Sequence, residues 1–309
     1  MLDVEAGQPI LCGSHSVFAP VLRSIRCNPG RGKPHLSRKI LDFDRYTKLA
    51  GQHRADFASA DPFPHVVLDD FLPADIAEPV VEEYAEEESS WAHYHHYNQR
   101  KMAITNLEGM GPRTRELVEA LQSEDFVRFI EGITGLEGLF ADPFLDGAGM
   151  HKTLPGGHLN MHTDFLSHPN HGEWSREINL LIYFNPGWQE EWLGNLEFWD
   201  REVKHCVRSI EPLFNRCVIF RTSDISYHGH PQPLACPEGV SRNSIALYYF
   251  QKGSVKLELH PTTYHSRPAD SSGKRLLIGI DTFLVRLYSM LRRYGGLRDR
   301  MLDRILKYF

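Results

Sequence analysis

The triplet His162-Thr163-Asp164 is the single H-x-D among the seventeen histidines of this 309-residue chain. It is also the place where metal chemistry is most readily built. In a β-strand, residues i and i+2 share a face, so the imidazole and the carboxylate can aim at one point while Thr163 turns away. A second imidazole from a strand distant in sequence would complete a set of two histidines and one carboxylate. Such a set suits Fe(II) and leaves positions open for an oxidant and a co-substrate. His228 and His230, in Ser226-Tyr227-His228-Gly229-His230-Pro231, are the candidates, and strand periodicity cannot choose between them. Taken alone, H-x-D is equally well explained by a structural His–Asp hydrogen bond. A decoy, His171-Gly172-Glu173, lies in a polar stretch with the composition of an exposed loop. The conjunction is more specific: H-x-D after the Gly156-Gly157 turn, a later histidine, then Arg242-Asn243-Ser244 on a strand beyond it.

Those side chains need strands to position them. From about Gly149 to Lys252 the sequence breaks into short runs cut by Gly, Pro and Asn: Leu159–Phe165, Ile178–Phe184, Leu196–Trp199, Cys217–Phe220 and Ser244–Phe250. Short strands with turn signals between them predict a sandwich or jelly-roll barrel, whose mouth can hold a metal and a small ligand. Upstream, the β-branched run Phe63–Leu72 predicts a strand, and the segment after Pro73 a helix to about Glu87. Further helices are expected at Pro112–Leu121 and Glu124–Thr134, with a short one near Leu41–Gly51. The Gly/Pro/Arg-rich Cys27–Pro34 breaks any periodicity and reads as loop. Beyond Gly253 a polar stretch leads to a final helix over roughly Asp281–Phe309, with Asp281 as its N-cap. The division drawn is an N-terminal extension (1–60), a catalytic domain (61–255), and a linker with a C-terminal helical segment (256–309).

Composition narrows the class. Apolar residues at 41% and charged residues at 24% are ordinary for a globular chain, and no stretch approaches the roughly 20 apolar residues of a membrane helix. A net charge of −6 removes the whole-protein basic field that nucleic acid would need, so no nucleic-acid partner is expected. Met1-Leu2-Asp3-Val4-Glu5 has no basic region before an apolar run, and a cytoplasmic location is expected. Five scattered cysteines without a C-x-x-C pair fit reduced thiols better than disulfides or a cysteine zinc site.

Residues 149–250 resemble the catalytic core of the prolyl-hydroxylase-like 2-oxoglutarate/Fe(II) oxygenases. The resemblance is carried by His162-Thr163-Asp164-Phe165, Arg176–Asn185, and a segment with Trp188, Gly194, Leu196 and Trp199. It closes with Ile210-Glu211-Pro212, His228-Gly229-His230 and Arg242–Phe250. The Phe63–Leu72 strand and its helix also fit. It implies an α+β fold, a double-stranded β-helix (jelly-roll, cupin-like) core with flanking helices. It also implies iron held by His162, Asp164 and His228, the last because the ligand follows the apolar strand and its Ser223-Asp224 turn. The implied reaction hydroxylates an unactivated C–H bond with O2 while 2-oxoglutarate becomes succinate and CO2, ascorbate being a candidate reductant. Arg242 would bind the distal carboxylate of 2-oxoglutarate, since a guanidinium holds a carboxylate by paired hydrogen bonds and answers an otherwise costly buried charge. Ser244 follows on the same strand face, and Tyr183 is the phenol the resemblance places beside them. Two departures stand out: Gly194-Asn195 replaces a frequent Gly-Gly pair, and no tyrosine matches the family's co-substrate tyrosine among Lys152, Thr153 and Leu154.

The substrate reading is broader. A hydroxylase of a small molecule, glycan or lipid-linked metabolite is the leading expectation, a peptidyl (prolyl-type) hydroxylase the close alternative. A non-catalytic cupin-like binding module is the alternative of another class, and retention of the full ligand set with the arginine argues against it. Trp91–Lys101, rich in aromatics and histidine, reads as a substrate lid or a packed strand, and its His93–His96 spacing is a poor match to a second metal. The C-terminal segment, with Arg286, Arg292, Arg293, Arg298 and Arg300 beside Leu284, Leu287 and Leu291, reads as a basic amphipathic helix. Such a helix either packs on its own domain or makes a weak contact with a surface or partner.

Overall fold

The computed structural model describes residues 40–84, 91–253 and 262–294, all within one compact unit, His35–Phe309. Its centre is a curled, wholly antiparallel sheet. The strands are β1 (His65–Leu68), β2 (Ala92–His96), β3 (Gln99–Ile104), β4 (Leu139–Ala141), β5 (Gly149–Thr153), β6 (His158–Thr163) and β7 (Trp174–Tyr183). They continue with β8 (Leu196–Trp199), β9 (Cys206–Ile210), β10 (Cys217–Arg221), β11 (His228–His230), β12 (Arg242–Lys252) and β13 (Thr263–Tyr264). The order is β1-β10-β7-β12-β5-β3-β6-β11-β8-β9, with β2 beside β3, β4 beside β12 and β13 beside β6. β3 bridges the halves, pairing with β5 at one end and with β6 at the other. This is the double-stranded β-helix with flanking helices that the family resemblance implied.

The helices are α1 (Phe43–Ser59), α2 (Ala74–Glu83), α3 (Pro112–Leu121), α4 (Glu124–Thr134) and α5 (Ser272–Tyr294). α4 shows why such a segment is helical: Ser123 caps it by accepting from Phe126 N, two acids sit in its first turn, and Gly135 ends it in the left-handed region. Its apolar face, Phe126, Phe129, Ile130 and Ile133, is buried against α1 and the outer face of the sheet. Tyr46 of α1, Phe71, Phe126, Phe129 and Tyr249 of β12 form one aromatic cluster. β12 is therefore covered on both sides: Ile245, Leu247 and Tyr249 lie in the helix-packed core, while Arg242, Ser244 and Ala246 line a cavity inside the curl.

Several boundaries differ from the sequence reading. The first helix continues to Ser59, eight residues past the expected end, because Tyr46, Ala50 and Phe57 continue one buried stripe. The last helix starts at Ser272 rather than Asp281, so Asp281 is no N-cap. Its carboxylate instead accepts from Asn98 Nδ2 and lies 2.9 Å from His96 Nδ1. β7 begins at Trp174, four residues before the apolar run that announced it. α5 leaves Leu276, Ile280, Phe283 and Leu287 exposed, a stripe on which contact with another surface could rest. The Cys27–Pro34 loop, the end of the helix expected to reach Glu87, and the basic residues from Arg298 on lie outside the described residues. No helix among the described residues is long and apolar enough to cross a membrane.

The aromatic cluster makes a direct stability test. Phe126 is fully buried, so Phe126→Ala should lower unfolding free energy by about 3–5 kcal/mol in denaturant titrations. A loss within the range of surface substitutions would mean that the cluster does not join helices to sheet.

Candidate functional site

The inner face of the curl holds a cavity of about 210 Å³. On its wall β11 lies against β6 with His228 opposite His162. Gly229 permits that approach: a Cβ there would stand 2.8 Å from Leu159 O and 2.9 Å from Asn160 O, so only glycine lets the strands close. Asp164 follows directly after β6. One ligand atom from each of His162, Asp164 and His228 lies within 4.8 Å of the others, and all three residues are buried.

The tautomers can be read from the backbone. His162 Nδ1 is 2.9 Å from Asn160 O, and His228 Nδ1 is 2.9 Å from Ser226 O. A carbonyl only accepts, so the neutral form of each ring carries its proton on Nδ1 and presents Nε2 to the cavity. That second hydrogen bond is the usual support of a metal-binding histidine. The Nε2 atoms lie 3.6 Å (His162) and 3.3 Å (His228) from Asp164 oxygens. Two imidazole Nε2 atoms and a carboxylate converging in this way fit a divalent first-row metal ion, Fe(II) included.

Asp164 is held from its other side. Arg176 Nη2 lies 3.0 Å from Asp164 Oδ2, Asn179 Nδ2 donates to the same oxygen at 2.6 Å, and Arg176 Nε donates to Asn179 Oδ1 at 2.8 Å. Burial by itself would raise the Asp164 carboxyl. The Arg176 guanidinium leads the groups that outweigh it and hold the carboxyl well below the usual carboxylate range. Burial, and then the neighbouring His228, pull His162 below its ordinary value, which favours the neutral ligand form. Sequence reading missed Arg176 and Asn179 as a pair because strict alternation puts residues i and i+3 on opposite faces. The register of β7 against β12 shifts between Tyr249 and Phe250, pairing Ile178 with Tyr249 and Arg176 with Phe250. That irregularity brings both side chains to the cavity.

Arg242 sits elsewhere on the same wall. Its Nη2 donates to Tyr183 Oη at 3.2 Å and its Nε to Gly194 O at 2.7 Å, leaving Nη1 without a protein partner among the described residues. Ser244 stands opposite Tyr183 in the β12–β7 register, and Thr153 stands opposite Arg242. The structure thus gathers His162, Asp164, His228, Arg242 and Ser244 around one cavity, with Tyr183 buried behind Arg242. His230 lines it too; burial, followed by Arg242 and Lys101, keeps its ring well below its ordinary pKa. His171 of the decoy triplet stacks on Trp174 at 4.0 Å and is not among the lining residues. Lys101, the last residue of the segment read as a substrate lid or a packed strand, also lines the cavity, as does His151, which nothing in the sequence marked.

Residues 148–250 match the family model of the 2OG-Fe(II) oxygenase superfamily. The core belongs to that superfamily. Its members are enzymes of Fe(II), 2-oxoglutarate and O2. The chain is also similar to prolyl 3-hydroxylase OGFOD1 of Mus musculus, 24% identical over 220 residues, which are 70% of this chain and 37% of that protein. It therefore spans little more than a third of that curated relative. Among solved structures it is similar to a prolyl-4-hydroxylase of Pseudomonas putida, at 17% identity and a TM-score of 0.49, covering 66% of this chain and 100% of that one. HygX from Streptomyces hygroscopicus is similar at 10% identity and a TM-score of 0.42, covering 72% and 93%.

The Arg176–Asp164 pair generates a test of the oxygenase core. Arg176→Leu should weaken Fe(II) binding by about 10–100-fold and destabilise the metal-free chain by about 3–5 kcal/mol, the cost of a buried charge left without its partner. Anaerobic calorimetry and chemical unfolding read the two effects. Unchanged Fe(II) affinity would show that Arg176 does not orient the carboxylate.

Proposed function

We propose that the chain is an Fe(II)/2-oxoglutarate-dependent dioxygenase that hydroxylates an unactivated C–H bond, with His162, Asp164 and His228 as the iron ligands. The observation that carries this reading is the tautomer pattern: both imidazoles spend Nδ1–H on a backbone carbonyl two residues back and offer Nε2 to one point beside a deprotonated carboxylate. Iron bound there supplies O2 activation coupled to oxidative decarboxylation of 2-oxoglutarate to succinate and CO2. Arg176 and Asn179 keep Asp164 charged and aimed. Arg242 receives the distal carboxylate of 2-oxoglutarate through its open Nη1, with Tyr183 and Ser244 completing that end. Phe220, whose ring centroid lies 4.8 Å from that of His228, closes the wall behind the ligand.

For substrate, we keep a small-molecule, glycan or lipid-linked metabolite as the first reading. A cavity of about 210 Å³ must hold the co-substrate as well as the reacting group, which leaves room for a compact fragment. Peptidyl prolyl hydroxylation is the second reading, favoured by the similarity to a prolyl 3-hydroxylase. Succinate release measured with metabolites and with proline-containing peptides separates the two.

Two outcomes test the site. His228→Ala should abolish stoichiometric Fe(II) binding while His230→Ala retains it; the reverse pattern would transfer the ligand role to His230. Arg242→Leu should weaken 2-oxoglutarate by at least about a hundredfold, in keeping with the roughly 3–5 kcal/mol lost when one member of a buried pair is removed, while Fe(II) still binds. Unchanged 2-oxoglutarate affinity would take Arg242 out of the site.

A further inference from the structure

Four charged side chains line the cavity among the described residues: Lys101, Arg176, Arg242 and the single carboxylate of Asp164. Arg176 is committed to Asp164, and Arg242 is the residue assigned above to the co-substrate. Lys101 has no carboxylate partner among the described residues. Its Nζ lies 3.2 Å from His151 Nδ1 and 5.9 Å from the centroid of the Tyr94 ring. A cation half-enclosed by protein without an opposing charge is costly, and the cost is relieved when a ligand brings the anion.

The placement follows from the sheet. Ala103 on β3 stands opposite His151 on β5, and His151 stands opposite Ser244 on β12. Lys101, two residues from Ala103, therefore shares the face that carries Ser244 and Arg242. His151 fixes its ammonium. Its Nε2 is 3.1 Å from Gly147 O, a carbonyl that can only accept, so in the neutral ring Nδ1 is the acceptor and takes one of the three ammonium N–H groups. Burial, and then the Lys101 charge, keep His151 well below its ordinary pKa and hence neutral. Burial lowers Lys101 to about 8, against the opposing pull of Asp164, so it still carries its proton at neutral pH with two N–H groups to spare.

We propose that Lys101, positioned by His151, binds an oxyanion of the substrate, a carboxylate or a phosphate group, and so restricts this enzyme to anionic substrates. The inference rests on the reading of the cavity as a 2-oxoglutarate/Fe(II) site. It adds a substrate contact from the β2–β3 hairpin, on the opposite side of β5 from Arg242.

The test uses the full chain, loaded anaerobically with Fe(II) and 2-oxoglutarate, and titrates it calorimetrically with inorganic phosphate and, separately, with acetate. Wild type should bind at least one of them saturably, the preferred anion naming the source. Lys101→Met should bind that anion at least about tenfold more weakly, and Lys101→Arg, which keeps the charge, should restore it to within about threefold. Affinity for 2-oxoglutarate, measured before the anion is added, should change by less than about threefold in Lys101→Met. Equal anion binding by wild type and Lys101→Met overturns the proposal, as does the absence of saturable binding to wild type. A large loss of 2-oxoglutarate affinity in Lys101→Met also overturns it, because Lys101 would then serve the co-substrate. If Lys101→Met does not fold, the ammonium NMR signal of Lys101 in wild type decides: it moves on anion addition, or the proposal fails. Failure of wild type to take up Fe(II) and 2-oxoglutarate at all would instead overturn the function proposed above, and is seen before any anion is added.

Discussion

Asp164 places a buried negative charge on the wall of a cavity, where leaving it unpaired would cost several kcal/mol. Much of the surrounding structure answers that one constraint. Arg176 supplies the counter-charge and Asn179 the hydrogen bond, both on the same carboxylate oxygen. Arg176 is itself enclosed, its guanidinium carbon 3.3 Å from the Tyr248 ring centroid and 4.6 Å from that of Phe165, contacts that favour a cation on an aromatic face. The β7 irregularity that turns Arg176 inward and the aromatic residues of β12 and the β6–β7 loop therefore serve the same carboxylate. The carboxylate in turn stays charged and points at two imidazoles.

One of those imidazoles, His162, is oriented by a polar chain that begins outside the sheet. Asp281 on α5 accepts from Asn98, Asn98 Oδ1 accepts from Asn160 Nδ2, and Asn160 O accepts the Nδ1 proton of His162. Asn98 and Asn160 are buried, so each break in the chain would leave a polar group without a partner at a cost of about 1–3 kcal/mol. The C-terminal helix thereby helps to fix the hairpin and, through it, the ligand strand. A basic segment that reads as an appendage in the sequence turns out to have Asp281 turned inward and used.

What the sequence announced and what it hid divide along a physical line. Helices α3 and α4 run over the expected residues because their caps and apolar spacing are local signals, as with Ser123 before α4 and Gly135 after it. His162, on β6, and Asp164, just after it, were readable as a pair because positions i and i+2 share a face in extended chain. His228 and Arg242 lie on other strands, and only the wider pattern of the oxygenase core singled them out. Arg176 with Asn179 could not be paired by periodicity, since the register shift that joins them is set by β12. The start of α5 was missed for a related reason: Ser272, Gly273 and Lys274 carry no apolar periodicity. The helix is anchored there by Arg275, which donates to Asp270 O and Pro268 O, contacts that exist only after the turn has folded.

The same line explains why the chemistry is more readable than the substrate. A metal ion demands a few donor types at fixed spacing, and a chelated diacid demands a cation at its far end, so both leave marks in the sequence. A substrate demands only shape and charge complementarity, and any strand that reaches the cavity can supply it. Here β3 supplies it, through Lys101, whose meaning depends on His151 from β5 standing beside it and on Arg176 and Arg242 already being committed. No window of sequence contains those four residues together. Curling the sheet around β3 makes one lysine among many into the cavity's uncompensated charge.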